Sequence, residues 1–197
     1  IGAEFVGGDS VCLILGDNIF YGHGMTEMLV SGSMLSEGAL IFGYYVSDPE
    51  RYGVVEFDDA GKAKGLEEKP AEPKSSYAVP GLYFYGSDVV EMAKELEPSA
   101  RGEYEITDLN KMYLAQDRLH IQVLGRGTAW LDTGTTRSLM EASQFVQSIE
   151  ERQGLKIACL EEIALLQGWI NAEQVLEEAR SMGSSNYADY LHKLIKR

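Results

Sequence analysis

The chain has 197 residues, is 45% hydrophobic and 10% aromatic, and carries a formal net charge of −14 at pH 7. These values exclude a disordered chain, and the length suits one sizeable domain or one domain with a small appendage. The acidic balance argues against nucleic acid or an anionic membrane as partner, because phosphate surfaces demand clustered Lys and Arg.

No apolar run reaches the length of a membrane span; the longest, residues 11–15, is only strand length. Cys12 and Cys159 lie far apart with no metal-ligand spacing. Two free thiols and no signal-peptide pattern suit a cytoplasmic protein. The chain opens "IGAEFVGGDS" without an initiator Met, and Ile1, Phe5 and Val6 fall at helical spacing before Gly7-Gly8. This reads as the tail of a helix that begins elsewhere, so an N-terminal part is expected to be lacking.

In chain order, "SVCLIL" (10–15) is a short apolar run before Gly16-Asp17, which predicts a fully buried parallel strand. "ALIFGYYV" (39–46) predicts a second strand. "GVVEF" (53–57) and "AKGLEEK" (63–69) flank "DDAG", a turn signal between two strands. "AVPGLYFYG" (78–86) is another strand, in which Pro80 signals an edge, a bulge or the strand start. Helices are expected over 87–96 and 105–116, and strands at "HIQVLG" and "TAWLDTG". Thr135 can cap a long helix closed by Gly154, and only helical patterns follow, at 161–167, 172–182 and about 186–196. Strands and helices alternate to about residue 134. The fold class is therefore α/β with a mostly parallel sheet and a C-terminal helical appendage, divided as 1–153 and 154–197.

In open α/β sheets, ligands bind beyond the carboxyl ends of the strands. "LGDN" (15–18) delivers Asp17 from an apolar strand into a Gly-containing turn, and "WLDTGT" (130–135) does the same with Asp132. Two strand-end aspartates could share one Mg²⁺ bridging phosphate oxygens; taken alone, Asp17 is better explained as a turn or helix-capping residue, and Asp132 suits an Asx-turn or N-cap as well as a metal. "LEEKP" (66–70) sets Glu68 and Lys69 side by side before Pro70. Lys69 could neutralise a phosphate and Glu68 accept hydrogen bonds from sugar hydroxyls; a solvated turn is the plainer alternative. Tyr52 and the backbone of Gly53 are offered to the same ligand. Arg101 is a second candidate phosphate cation, or a surface charge paired with Glu103. No nucleophile motif is present and the three histidines are scattered, so any chemistry should be metal-assisted direct displacement at phosphorus.

"LGDNIFYGHG", "DPERYGVVEFDDAGKAKGLEEKP", "SSYAVPGLYFYGSDVVEMA", "RGEYEITDLNKMYL" and "GRGTAWLDTGTTRSLMEAS", in this order, resemble the glucose-1-phosphate thymidylyltransferases, also called dTDP-glucose pyrophosphorylases. The resemblance covers essentially the whole chain. It implies a Rossmann-like nucleotidyltransferase sheet and the reaction of glucose 1-phosphate with dTTP to give dTDP-glucose and pyrophosphate with Mg²⁺. It implies Asp17 and Asp132 as metal-binding carboxylates, and Asp17, Asp132 and Lys69 as the catalytic residues. Tyr52, Gly53, Glu68, Lys69, Val79, Tyr83 and Trp130 match positions that hold the glucose and its phosphate, and Arg101 matches a phosphate-contacting arginine. It further implies a homotetramer and feedback by a dTDP-sugar end product.

Two departures bear on these implications. The family's first strand and its Gly-rich loop, G-G-x-G-T-R-L, are absent from these 197 residues, as is the base-reading segment. That loop cradles the triphosphate through backbone N–H groups, so this chain alone is expected to be inactive. In the feedback site the family's "ACPEEIAFR"-like stretch reads "ACLEEIALL", with Leu160 for a proline and Leu166 for an arginine, which should weaken diphosphate binding. The alternatives are a non-catalytic sugar-phosphate-binding domain and a uridylyltransferase of the same superfamily.

Overall fold

The computed structural model describes residues 2–196. The chain separates into two compact units, one ending at Gly134 and one beginning at Thr135. The first contains α1 (Ala3–Val6), β1 (Val11–Ile14), β2 (Asn18–Tyr21), α2 (Met25–Ser33), β3 (Ala39–Tyr45), a 3₁₀ turn (Pro49–Arg51), β4 (Gly53–Phe57) and β5 (Ala63–Glu68). There follow β6 (Tyr77–Ala78), β7 (Leu82–Tyr85), α3 (Val89–Lys94), α4 (Ile106–Ala115), β8 (Leu119–Val123) and β9 (Ala129–Asp132). Of the opening helical pattern, α1 is present through Phe5 and Val6, and Ile1 lies outside the described residues.

Seven strands form one sheet in the order β1-β7-β3-β6-β4-β5, with β8 also paired to β3, while β2 and β9 form a separate ribbon. β3 is the middle strand. Its apolar "ALIFGYY" supplies the β-branched and aromatic side chains that a pleated, doubly buried strand packs well. Along β7 the side chains alternate between two cores. Tyr83 and Tyr85 join Ile41, Val55 and Tyr113 on one face. Leu82 and Phe84 join Met28, Phe42 and Leu124 on the other.

The α/β class with C-terminal helices is present, but the expectation of a mostly parallel sheet is overturned among the described residues. Only β3–β8 runs parallel; the pairs β1–β7, β3–β7, β3–β6, β4–β5, β4–β6 and β2–β9 are antiparallel. The reason is connection length. β4 and β5 are joined by the "DDAG" turn, where the Asp58 carboxylate accepts the N–H groups of Ala60 and Lys62, and a short turn can only reverse the chain. A parallel neighbour needs a helical crossover, and β8 arrives after α3 and α4.

Two local expectations also change, and two elements appear where none was expected. β1 is not buried: it pairs only with β7, and Cys12, Leu13 and Ile14 are exposed. The 78–86 strand is broken in two at residues 79–81, because Pro80 has no N–H for the ladder. β2 and α2 lie in a stretch whose mixed polar and apolar residues carried no clear period.

The second unit holds α5 (Thr136–Gln153), α6 (Leu160–Leu166), α7 (Ala172–Ser181) and α8 (Asn186–Leu194). Thr135 and Ser138 form a reciprocal capping box, each side chain accepting the other's backbone N–H at 3.1 Å. Gly154 closes α5 with φ of 66°. Cys159, Val175, Ala179, Ala188 and Leu191 form this unit's own core. The long helix thus belongs to the helical unit, whereas the sequence reading divides the chain after residue 153. No helix among the described residues is long and apolar enough to cross a membrane.

Among the described residues of the first unit, the hydrogen-bonded pair of Tyr85 and Asn110 is fully buried. The Tyr85 hydroxyl donates to Asn110 Oδ1 at 2.8 Å, and Asn110 is 1% exposed. Tyr85→Phe strands that acceptor away from water and should cost about 1–3 kcal/mol. A lowered urea midpoint with an unchanged m-value is the expected result; an unchanged midpoint would show that water reaches Asn110.

Candidate active site

The break at residues 79–81 organises the site. Continuing the β4–β6 register one residue past Ala78, Val79 donates its N–H to the Gly53 carbonyl at 2.8 Å. The Gly81 carbonyl accepts from Leu15 at 2.9 Å, and the Gly81 N–H donates to Asn18 Oδ1 at 3.0 Å. The start of β4 and the end of β1 are thereby drawn to the same place. A cleft of about 240 Å³ opens there, and Asp17, Tyr52, Gly53, Glu68, Lys69, Val79, Tyr83, Trp130 and Asp132 all line it.

One wall carries the two aspartates. The β2–β9 ribbon sets Asn18 opposite Asp132, and Thr133 donates both its N–H and its hydroxyl to the Asp17 carbonyl, at 2.8 and 2.9 Å. A Cβ placed on Gly134 would stand 3.2 Å from Asp132 Oδ1 and 3.5 Å from Asp17 Oδ2, so the two carboxylates converge on one point. The donor set is all oxygen. Among the described residues no group of three or more His, Cys, Asp or Glu could hold a metal. Two carboxylates with open positions suit a hard divalent cation that completes its shell with phosphate oxygens and water.

The opposite wall carries Glu68 and Lys69. Glu68 Oε2 accepts the hydroxyl of Thr107, itself 4% exposed, at 2.6 Å, which leaves Oε1 toward Lys69 Nζ at 4.0 Å. Gly53 sits against this pair; a Cβ there would meet Thr107 Oγ1 at 2.9 Å and Glu68 Oε2 at 3.1 Å. Lys69 has φ of 43°, a left-handed conformation strained for any residue with a Cβ. Pro70, which is buried, follows it, and the Lys69 N–H is held by the Tyr52 carbonyl at 3.0 Å. The kink turns the ammonium out of the strand direction, half-exposed at the cleft.

Aromatic side chains form the floor. Trp130 packs 4.9 Å from Tyr52 and 5.7 Å from Tyr44, ring centre to ring centre. Burial pushes the Tyr83 hydroxyl far above its ordinary range, with the negative charges of Glu68 and Asp17 adding to the shift. It stays protonated, a hydrogen-bond donor at any working pH.

Arg101 is the sequence candidate that the structure leaves outside the cleft. Its guanidinium binds Glu103 at 2.7 Å and lies 3.5 Å from Glu105, both in its own loop, and it is half-exposed. The cleft draws its arginine from elsewhere. Arg51 binds Asp48 at 2.8 Å, stacks on the Tyr52 ring at 5.2 Å and reaches Asp132 Oδ2 at 3.6 Å. Sequence reasoning also passed over Asn18 and Thr107. Arg51 and Asn18 each adjoin a residue that was singled out, and that adjacency is the signal that could have found them. Thr107 carries no local signal.

Residues 1–149 match the nucleotidyl transferase family model. Over all 197 residues the chain is 55% identical to the glucose-1-phosphate thymidylyltransferase of Neisseria meningitidis and 56% identical to that of Mycobacterium tuberculosis, spanning 68% of the length of each. Among solved structures, a glucose-1-phosphate thymidylyltransferase from Bacillus anthracis in complex with sucrose matches with TM-score 0.62 at 44% identity. That match covers 73% of this chain and 57% of the other. A UDP-glucose pyrophosphorylase complexed with UDP-glucose shares the fold at TM-score 0.62 with 23% identity, covering 75% of this chain and 59% of the other. The chain belongs to the glucose-1-phosphate thymidylyltransferase family of nucleotidyl transferases.

The contact between Arg51 and Asp132 sets a cation against a carboxylate that the convergence offers to a metal. Arg51→Gln should tighten Mn²⁺ binding, by less than about tenfold since half-exposed ion pairs contribute under about 1 kcal/mol. It should weaken binding of inorganic phosphate at the same time. Paramagnetic titration with and without phosphate reads both; equal movement of the two affinities in one direction would contradict the geometry.

Proposed function

We propose that this cleft binds glucose 1-phosphate and, together with dTTP, forms dTDP-glucose and pyrophosphate by direct displacement. The observation that carries the reading is that the convergent carboxylates of Asp17 and Asp132, the Glu68–Lys69 pair and the aromatic rings of Tyr52 and Trp130 line one cleft together. The identity to the thymidylyltransferases supports the choice of nucleotide over a uridylyltransferase.

In this reading the sugar ring lies on Trp130 and Tyr52, and the Glu68 oxygen not committed to Thr107 accepts from its hydroxyls. The Tyr83 hydroxyl and the backbone around Gly53 and Val79 close on the other edge. Lys69 grips the phosphate and holds one of its oxygens in line with the α-phosphorus of dTTP. That oxygen forms a new bond to the α-phosphorus as the bond from the α-phosphorus to the bridging oxygen breaks, and pyrophosphate departs with the electron pair. No proton needs to move to a protein base, because the attacking phosphate oxygen is already anionic. The protein contributes positioning and charge. Asp17 and Asp132 would hold Mg²⁺, which when bound neutralises charge on the phosphates. Arg51 supplies a further cation beside the carboxylates, in addition to Arg101, which the resemblance implies as a phosphate contact. Assembly as a tetramer, feedback by a dTDP-sugar and a cytoplasmic location belong to the same proposal, on the strength of the family resemblance alone. The direct test is pyrophosphate release by the full-length protein, with dTTP clearly preferred to UTP.

Asp132→Asn keeps the shape and halves the charge at the convergence. In the full-length protein it should cut turnover by orders of magnitude while changing glucose 1-phosphate affinity only a few-fold. Normal turnover at saturating Mg²⁺ would remove Asp132 from the metal site.

Lys69→Met and Glu68→Gln should fail differently. The first deletes a charge-assisted contact of about 1.5–3 kcal/mol, roughly a ten- to hundredfold loss, for glucose, galactose and mannose 1-phosphates alike. The second keeps an acceptor for Thr107 but turns the remaining oxygen into a donor, so it should blunt the ranking of the three sugars and leave phosphate affinity nearly intact. Reversed patterns would exchange the two roles. No change in either variant would make "LEEKP" a solvated turn.

A further inference from the structure

Asn18 makes three side-chain hydrogen bonds in the cleft, and their donors and acceptors dictate how its amide faces. Its Oδ1 accepts the indole N–H of Trp130 at 2.6 Å and the backbone N–H of Gly81 at 3.0 Å. Both partners can only donate, so the amide oxygen must point at them. The NH₂ group is then turned to Asp17, and it donates to Oδ1 at 2.8 Å. With that oxygen committed, Asp17 presents Oδ2 to the point it shares with Asp132. Strand register sets Asn18 directly opposite Asp132 as well.

One side chain thus touches the carboxylate of one wall, the indole of the floor and the strand break that opens the cleft. Each half of the amide is anchored by the other. If the indole N–H is lost, the oxygen loses a partner and the amide can rotate, which frees the NH₂ from Asp17. If Asp17 turns away, the indole is less firmly held. We infer that Asn18 is a positioning residue that couples the cation site at Asp17 to the sugar platform at Trp130. Occupation of either site favours the geometry the other needs, and by linkage the effect is reciprocal. This rests on the reading of Asp17 as a cation ligand and Trp130 as a sugar platform.

The test needs no turnover. Trp130 offers no metal ligand, so any effect of its N–H on cation affinity must travel through Asn18. Mn²⁺ affinity is measured in the full-length protein without sugar or nucleotide, for Asn18→Ala, Trp130→Phe and the double variant. Asp17→Asn serves as reference, and urea midpoints as a check on folding. Trp130→Phe keeps the ring and removes the N–H. Each single variant is expected to weaken Mn²⁺ binding about threefold or more, in keeping with loss of one hydrogen bond, and the double variant no further than Asn18→Ala alone. Should Asn18→Ala not fold, Trp130→Phe alone still decides. Unchanged Mn²⁺ affinity in Trp130→Phe, or additive losses in the double variant, would overturn the coupling. If Asp17→Asn binds Mn²⁺ as tightly as the wild type, the cation reading itself falls, and the coupling with it.

Discussion

A single missing N–H organises the catalytic half of this chain. Residues 77–85 would run as one strand along β3 if every residue could donate to the ladder. Pro80 cannot, and the run divides into β6 and β7. The backbone groups of Val79 and Gly81 then bond outward, to Gly53 on one side and to Leu15 and Asn18 on the other. Those bonds bring the end of β1, with Asp17 behind it, to the start of β4, with Tyr52 before it. The Val79–Gly53 and Leu15–Gly81 bonds keep the registers of the β4–β6 and β1–β7 ladders across the break, and the Gly81 N–H turned to the Asn18 side chain lies outside either ladder.

Net charge and local charge oppose each other here. A chain at −14 repels a sugar phosphate at long range, and two convergent carboxylates repel it at short range. Lys69 and Arg51 face the cleft against them, and both are anchored by the backbone geometry or side chains around them. Lys69 is fixed by its left-handed kink between the Tyr52 carbonyl and Pro70, Arg51 by Asp48 and the Tyr52 ring. Tyr52 therefore supports both cations, one through its carbonyl and one through its ring. The cost of the strained Lys69 backbone, of order 1–3 kcal/mol, is borne by the hairpin and the buried proline on either side. A lysine on an ordinary strand would follow the pleat and point along the sheet normal.

What was legible in the sequence divides along the range of the forces involved. The "DDAG" hairpin, the Thr135 cap and the Gly154 stop depend on residues within a few positions, and the structure has them all. Strand-end Asp17 and Asp132 were legible because an apolar run ending at an Asp with a Gly one or two residues away is itself local. Pairing partners were not. Nothing in "SVCLIL" says that it lies at a sheet edge, and alternating helices and strands suggested crossovers where β4 doubles back into β5 by a turn and β6 and β7 follow each other along β3. Arg101 shows the same division. Its carboxylate partners, Glu103 and Glu105, sit two and four residues away and hold it in its own loop. Arg51 enters the cleft only because the chain before β4 is folded against β9, a placement no local pattern encodes.

The three acidic side chains of the cleft share one device. Asp17 gives one oxygen to the Asn18 amide, Asp132 one to the Gly134 N–H at 3.1 Å, and Glu68 one to the Thr107 hydroxyl. Each of these three tethers is an uncharged donor, while the second oxygens of Asp132 and Glu68 lie 3.6 Å from Arg51 and 4.0 Å from Lys69. Each carboxylate is restrained in rotation, and one oxygen of each is aimed. A carboxylate free to spin would have to be ordered by its ligand at each binding event, and that entropy would be subtracted from affinity. Ion-pair tethers would have fixed the groups too, but at the expense of the negative charge that attracts a cation and polarises a sugar hydroxyl. Neutral tethers hold direction and charge together, which is what a site that works by positioning and electrostatics requires.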